Sequence, residues 1–139
     1  MENQESRNKI QERAMQIMYG FLIKQQVDQV INFEETVSEV CEKPYQECDI
    51  FLKELLIKSL KNEKEIIALI SKYLKKWKFE RLNTCIQAIL IEAVANYKYC
   101  ENSEKAIVIN IAVKLAKKYA EPNDYKFVNA VLDNCLNER

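Results

Sequence analysis

Apolar residues recur every three to four positions along most of this chain, and the recurrence divides it into a series of amphipathic helices. Ser6 can cap a first helix that runs to about Lys24, with Ile10, Ala14, Ile17, Met18 and Phe21 on one stripe. A polar connector at 25–33 leads to a short acidic helix, Phe33 to Lys43. Pro44 disfavours helical backbone at the residue before it, so a break is expected there. Tyr45 to Leu60 carries Ile50 or Phe51, then Leu55, Leu56 and Leu60 at core spacing, and Lys61-Asn62 turns into Glu63 to Lys76, with Ile66, Ile67, Ile70, Tyr73 and Leu74. From Thr84 to Tyr99 the apolar residues (Cys85, Ile86, Ile89, Leu90, Ala93, Val94, Tyr97) spread widely around the helix, which predicts a central element contacted on several sides.

The last third predicts a helical hairpin. Val108, Ala112, Leu115, Ala116 and Tyr119 form one stripe, with Lys114, Lys117 and Lys118 off it. Glu121-Pro-Asn-Asp124 breaks the pattern, and Asp124 can cap a second helix with Val128, Val131, Leu132 and Cys135 on its buried face. The turn brings Lys117 and Lys118 near Lys126 and Phe127. Asn110, polar within an apolar run, reads as a cap or a buried amide. The sum is an all-α fold, one compact domain over residues 1–139 with about seven helices.

Composition narrows this picture. One Gly and two Pro leave little material for hairpins or a phosphate-cradling loop. With no His, the usual general base and metal imidazole are absent, so binding is favoured over catalysis, and no metal or cofactor is expected. Five Cys without a C-x-x-C pair read as reduced thiols of a cytoplasmic protein. The polar, acidic first residues are unlike a secretory leader, and no apolar run is long enough to span a membrane. Net charge is zero but unevenly placed: residues 1–69 are −4 and residues 70–139 are +4, so a local phosphate-binding surface is expected in the second half.

The outer face of the first helix collects Lys9, Glu12, Arg13, Gln16 and Tyr19, with Arg7 at its start. Cations and an aromatic ring can meet the phosphates and bases of unpaired RNA. The same face also suits a solvated surface with an incidental tyrosine, and periodicity favours that plainer reading.

Spaced motifs change the balance. Ile107-Val-Ile-Asn110, Ala112-Val-Lys-Leu-Ala-Lys117, Lys126-Phe-Val-Asn129 and Val131-Leu-Asp133 resemble the C-terminal signature of the NusB family of bacterial transcription antitermination factors. Arg7, Lys9, Ala14, Gln16, Met18 and Tyr19 match that family's arginine-rich start and Ala-x-Gln-x-Leu-Tyr motif. Trp77, Glu80, Arg81 and Leu82 match the segment before its long helix, where Trp77 is expected in the core and Glu80/Arg81 as a helix-start ion pair. The resemblance implies a helical protein that grips boxA-type single-stranded RNA of ribosomal RNA operons together with NusE, a small-subunit ribosomal protein, within the RNA polymerase antitermination complex. It implies an RNA surface of Arg7, Lys9, Arg13, Gln16, Tyr19, Lys117, Lys118, Lys126, Phe127 and Asn129, with Phe127 either stacking there or packed beneath the preceding helix. Family members include monomers and dimers, so a homodimer covering the first helix is among the states implied.

This chain departs from the family pattern at several positions. Asn8 and Gln11 stand where Arg is common, which predicts weaker RNA binding with a flatter salt dependence. Ile91, Asn96 and Ile111 replace charged residues, which weakens any partner contact relying on them. Ala120 and Ala130 replace glycines, so the turn after residue 119 is expected to be rearranged. A helical adaptor that keeps the fold and binds protein without RNA is the alternative. An enzyme of the ribosomal-RNA cytosine methyltransferase kind, in which related helical domains precede a catalytic one, is disfavoured by the absence of a Gly-rich cofactor loop.

Overall fold

The computed structural model describes residues 6–100 and 103–137. The acidic start at 1–5 and the beginning of the polar loop at 101–102 lie outside the described residues. Among those described there are seven α-helices and no strand: α1 (Arg7–Gln26), α2 (Phe33–Cys41), α3 (Ile50–Lys61), α4 (Glu63–Ser71), α5 (Thr84–Tyr99), α6 (Lys105–Tyr119) and α7 (Asp124–Cys135).

The core is built around α5, which is buried without interruption from Ile86 to Asn96 and packs against α1, α3, α4, α6 and α7. Its wide apolar distribution is what such a position requires. The predicted stripe of α1 is wholly buried, joined by Met15 and Leu22. Local polar side chains set the helix starts: Ser6 Oγ accepts from Lys9 N, Asn32 Oδ1 from Glu35 N, Asp49 Oδ1 from Leu52 N and Asn83 Oδ1 from Cys85 N. The Asp49 cap explains why α3 begins later than periodicity suggests. Tyr45–Glu47 forms a separate 3-10 turn, and the helix starts where a capping carboxylate satisfies its first amides. At the other side of the break, Glu42 ends α2 in the left-handed region, two residues before Pro44.

Four expectations are corrected. α4 stops at Ser71 instead of reaching Lys76, because the amides of Lys72, Tyr73 and Leu74 turn to carbonyls three residues back and tighten the chain. Trp77 is not in the core: it is 59% exposed, while Phe79, in a 3-10 turn at Phe79–Arg81, is only 3% exposed and takes the buried place. Asp124 does not cap α7 but is its first residue. Its carboxylate accepts from Glu121 N at 3.1 Å and closes the preceding turn. Asn110 is neither cap nor buried amide; α6 starts five residues earlier, at Lys105, and the side chain is exposed.

Beyond α6 the alanine at 120 is accommodated without strain. Ala120 is extended (φ −112°, ψ −172°) and its N–H bonds the Ala116 carbonyl, so no left-handed residue is needed. Ala130 lies exposed inside α7, where Ala is the better helix former.

Candidate nucleic-acid interface

The N-terminal half of α1 and the C-terminal half of α6 border a cleft of about 240 Å³ lined by Ser6, Asn8, Lys9, Glu12, Ile111, Lys114, Leu115 and Lys118. Ile111 and Leu115 belong to the buried face of α6 and form an apolar floor. The three lysines stand around it with Glu12 among them. An apolar base under a ring of cations suits a ligand with flat faces and negative charge.

Glu12 organises this site. Its carboxylate accepts from Lys118 Nζ at 2.6 Å and from the Tyr119 hydroxyl, and Lys9 Nζ lies 3.8 Å away. Gln16 Nε2 donates to the Tyr119 oxygen at 3.1 Å. The Glu12 side chain is only 12% exposed. The Lys118 ammonium, then the Tyr119 hydroxyl, hold its carboxyl below the usual carboxylate range against the opposing effect of burial. The same hydrogen bonds raise Lys118 and Tyr119. Tyr119 was expected on the buried stripe of α6. It is 39% exposed, because its hydroxyl reaches across to α1 for these two partners.

The remaining sequence-predicted residues fall into separate places. Tyr19, 42% exposed, stands one turn beyond Gln16 on the same face. Lys126 and Asn129 line an open groove of about 570 Å³ between α6 and α7, together with Asn110, Val113 and Tyr125. Lys117 lies over the Tyr125 ring, its ammonium 4.6 Å from the centroid. Phe127 is half-buried and packed against the core. Arg7 turns away from the cleft, its guanidinium 3.8 Å from the centre of the Phe51 ring on α3. Arg13 donates to the Val40 carbonyl at 3.3 Å, beside α2. Thus Lys9, Gln16 and Lys118 come together around Glu12 and Tyr119, with Tyr19 one turn further along α1, Lys117, Lys126 and Asn129 form a second group, and the two arginines face other helices.

Lys114 and Glu12 are the site residues that the sequence reading did not assign. Both carried a signal: Glu12 shares the wheel face of Lys9 and Gln16, and Lys114 is one turn before Lys118. Ile91, Ile111 and Asn96 are all buried, and Asn96 Oδ1 accepts from Ser103 Oγ at 2.6 Å. Ile91 and Asn96 are turned into the core, and Ile111 lies in the floor of the cleft.

Among the described residues no group of three His, Cys, Asp or Glu side chains is placed to hold a metal ion. Burial pushes the Cys100 and Cys135 thiols up to about 11, which keeps them protonated at neutral pH. Among the described residues no helix is long and apolar enough to cross a membrane.

Fold and site together define an all-helical protein with a basic, partly apolar cleft between its first and sixth helices. The NusB family model matches residues 8–137, and the chain belongs to that family. It is 34% identical over 128 residues to the transcription antitermination protein NusB of Bacillus mycoides strain KBAB4, covering 92% of this chain and 95% of that one. It is 33% identical, with the same coverage, to that of Bacillus cereus strain B4264. Among solved structures, T. maritima NusB superposes with a TM-score of 0.83 at 23% identity (99% of this chain, 94% of that one) and shows the shared fold. Antitermination factors NusB and NusE in complex with dsRNA give 0.78 at 25% identity (94% and 95%).

Proposed function

We propose that this chain is a cytoplasmic transcription antitermination factor that binds boxA-type single-stranded RNA of ribosomal RNA operons together with NusE, within the polymerase antitermination complex. The observation that carries the reading is the cleft between α1 and α6, where three lysines surround an apolar floor. Lys9, Lys114 and Lys118 meet phosphates, Tyr19 offers a stacking face, and Gln16 reaches base edges. Lys117, Lys126 and Asn129 extend the surface along the α6/α7 groove. The mechanism is binding and positioning, with no covalent step.

A second reading, a helical adaptor that holds protein with little RNA, draws support from Arg7 and Arg13, whose guanidinium groups face Phe51 and the Val40 carbonyl. One experiment separates the two. Binding of a labelled boxA RNA is measured across a salt series, with and without NusE, for the native chain and a Lys9→Ala/Lys118→Ala variant. The RNA reading expects binding that NusE strengthens and a salt slope about 1.4 units shallower in the variant, at about 0.7 per single-strand phosphate contact. NusE binding to which RNA adds nothing would favour the adaptor. Because a related complex contains dsRNA, a duplex of the same element belongs in the series, and equal affinity for duplex and single strand would count against base readout.

A further inference from the structure

A second concentration of positive charge lies far from the cleft. Residues 72–81 carry Lys72, Lys75, Lys76, Lys78 and Arg81 against the single acid Glu80, and all six are exposed. Among the described residues none of these cations is neutralised in a salt bridge. Two large aromatic side chains stand between them, Trp77 at 59% exposure and Tyr73 at 37%.

Local structure explains why the aromatic residues face outward. α4 stops at Ser71, Leu74 packs against the core from one side, and Phe79 anchors the chain from the other. Trp77 falls between these anchors and has no core position left. An indole kept in water forgoes the burial that normally stabilises it, and beside cations it makes a stacking platform.

The segment is connected to the cleft by α1. Gln26 Nε2 donates to Thr84 Oγ1 at 3.1 Å, which ties the end of α1 to the start of α5 just beyond the Phe79–Arg81 turn. From Lys9 to Gln26 the helix covers about 25 Å at 1.5 Å per residue. Tyr19 and Ile23 are exposed along that length.

We propose that residues 72–81 form a second contact for single-stranded RNA, engaging unpaired nucleotides that run on from the cleft along α1. Trp77 and Tyr73 stack on bases while Lys75, Lys76 and Lys78 face phosphates. This rests on the RNA reading of the cleft. Alternation of flat apolar groups with cations matches the alternation of base and phosphate in an unpaired strand. An acidic protein surface would satisfy the lysines but leave the indole without a stacking partner, and a duplex would keep its bases to itself.

Trp77 is the chain's single tryptophan, so its emission reports on this segment alone. The full chain is titrated with two RNAs, the boxA element and the same element extended at both ends by roughly a dozen unpaired nucleotides, a length within the reach of such platforms. The expected result is about tenfold tighter binding of the longer RNA, with Trp77 emission quenched by that RNA only. Trp77→Ala removes the gain, Trp77→Phe keeps most of it, and Lys76→Gln/Lys78→Gln flattens the salt slope for the longer RNA by about 1.4. None of these exposed substitutions changes binding of the short element. Equal affinity of the native chain for both RNAs overturns the proposal, as does stronger quenching by polyglutamate than by the longer RNA. If the short element fails to bind while the longer RNA still quenches Trp77, the cleft reading falls and this contact stands.

Discussion

Two glutamates on neighbouring helices meet opposite fates. Glu12, on α1, is largely covered yet remains charged, because Lys118 and Tyr119 both donate to it. Glu92, at the middle of α5, is fully buried, and neither of its oxygens has a hydrogen-bond partner among the described residues. Ser59 lies beside it and favours the charged form against burial, but the serine hydroxyl is already donated to the Leu55 carbonyl. Burial pushes the Glu92 carboxyl up to about 8, with Glu63 adding to the rise. Covering a carboxylate does not by itself decide its charge; the donors available after covering do. At neutral pH the cleft therefore holds an anion and the core holds an acid.

The largest effect that would break this contrast is in stability against pH. Glu92 has a folded value near 8 and an ordinary value of 4.5. Below about 4.5 both folded and unfolded chains hold the proton. Between 4.5 and 8 only the folded chain holds it, so stability falls as pH rises through this window, and above about 8 the loss levels off. The total is on the order of a few kcal/mol. Glu92→Gln is neutral throughout and is expected to be more stable than the native chain by that amount at pH 8, with little difference at pH 4. Urea unfolding at the two pH values checks it, and parallel pH curves for both proteins would show that Glu92 is not the source.

Glu12 has the opposite sign. Its folded value is depressed, so the stability it contributes is present above the ordinary value and is lost as pH falls through the folded one. At this partly solvated pair the contribution is below about 1 kcal/mol. The larger consequence concerns ligand binding, because Glu12 competes with phosphate for Lys9 and Lys118. Glu12→Gln is expected to tighten boxA RNA binding several-fold and steepen the salt slope by about 0.7 for each lysine released. Loss of RNA binding in this variant would mean that Glu12 acts chiefly by positioning Lys118. Tyr119→Phe should do less: Glu12 loses one donor, its acid transition moves toward the ordinary value, and RNA affinity changes by less than about threefold, as a titration followed by NMR and the same RNA assay would show.

How much of this was legible in the sequence depends on whether the signal is local. Helix identities, the Ser6 cap, the break near Pro44 and the central place of α5 all follow from spacing within a few residues. The outward face of α1 was legible for the same reason. What periodicity could not supply is which distant side chain each residue meets. Tyr119 sits at a core phase of α6, yet its hydroxyl finds Glu12, more than a hundred positions away. Arg7 and Arg13 look like free cations on the wheel until α3 and α2 supply Phe51 and the Val40 carbonyl. Family position points Trp77 to the core, but the 3-10 turn two residues later gives that place to Phe79.

The smallest prediction tests whether affinity at the cleft responds to the Glu12 charge or merely to the firmness of α1. Gly20, the chain's only glycine, lies inside α1, and a Cβ built there meets nothing within 4 Å. Gly20→Ala should therefore stabilise the protein by about 0.5–1 kcal/mol, by lowering the conformational freedom of the unfolded chain. The carboxylate and its donors are untouched, so RNA affinity and salt slope should match those of the native chain even as the melting temperature rises. If Gly20→Ala tightened RNA binding as much as Glu12→Gln, helix stability would account for both results. The competition between Glu12 and phosphate would then have no independent support.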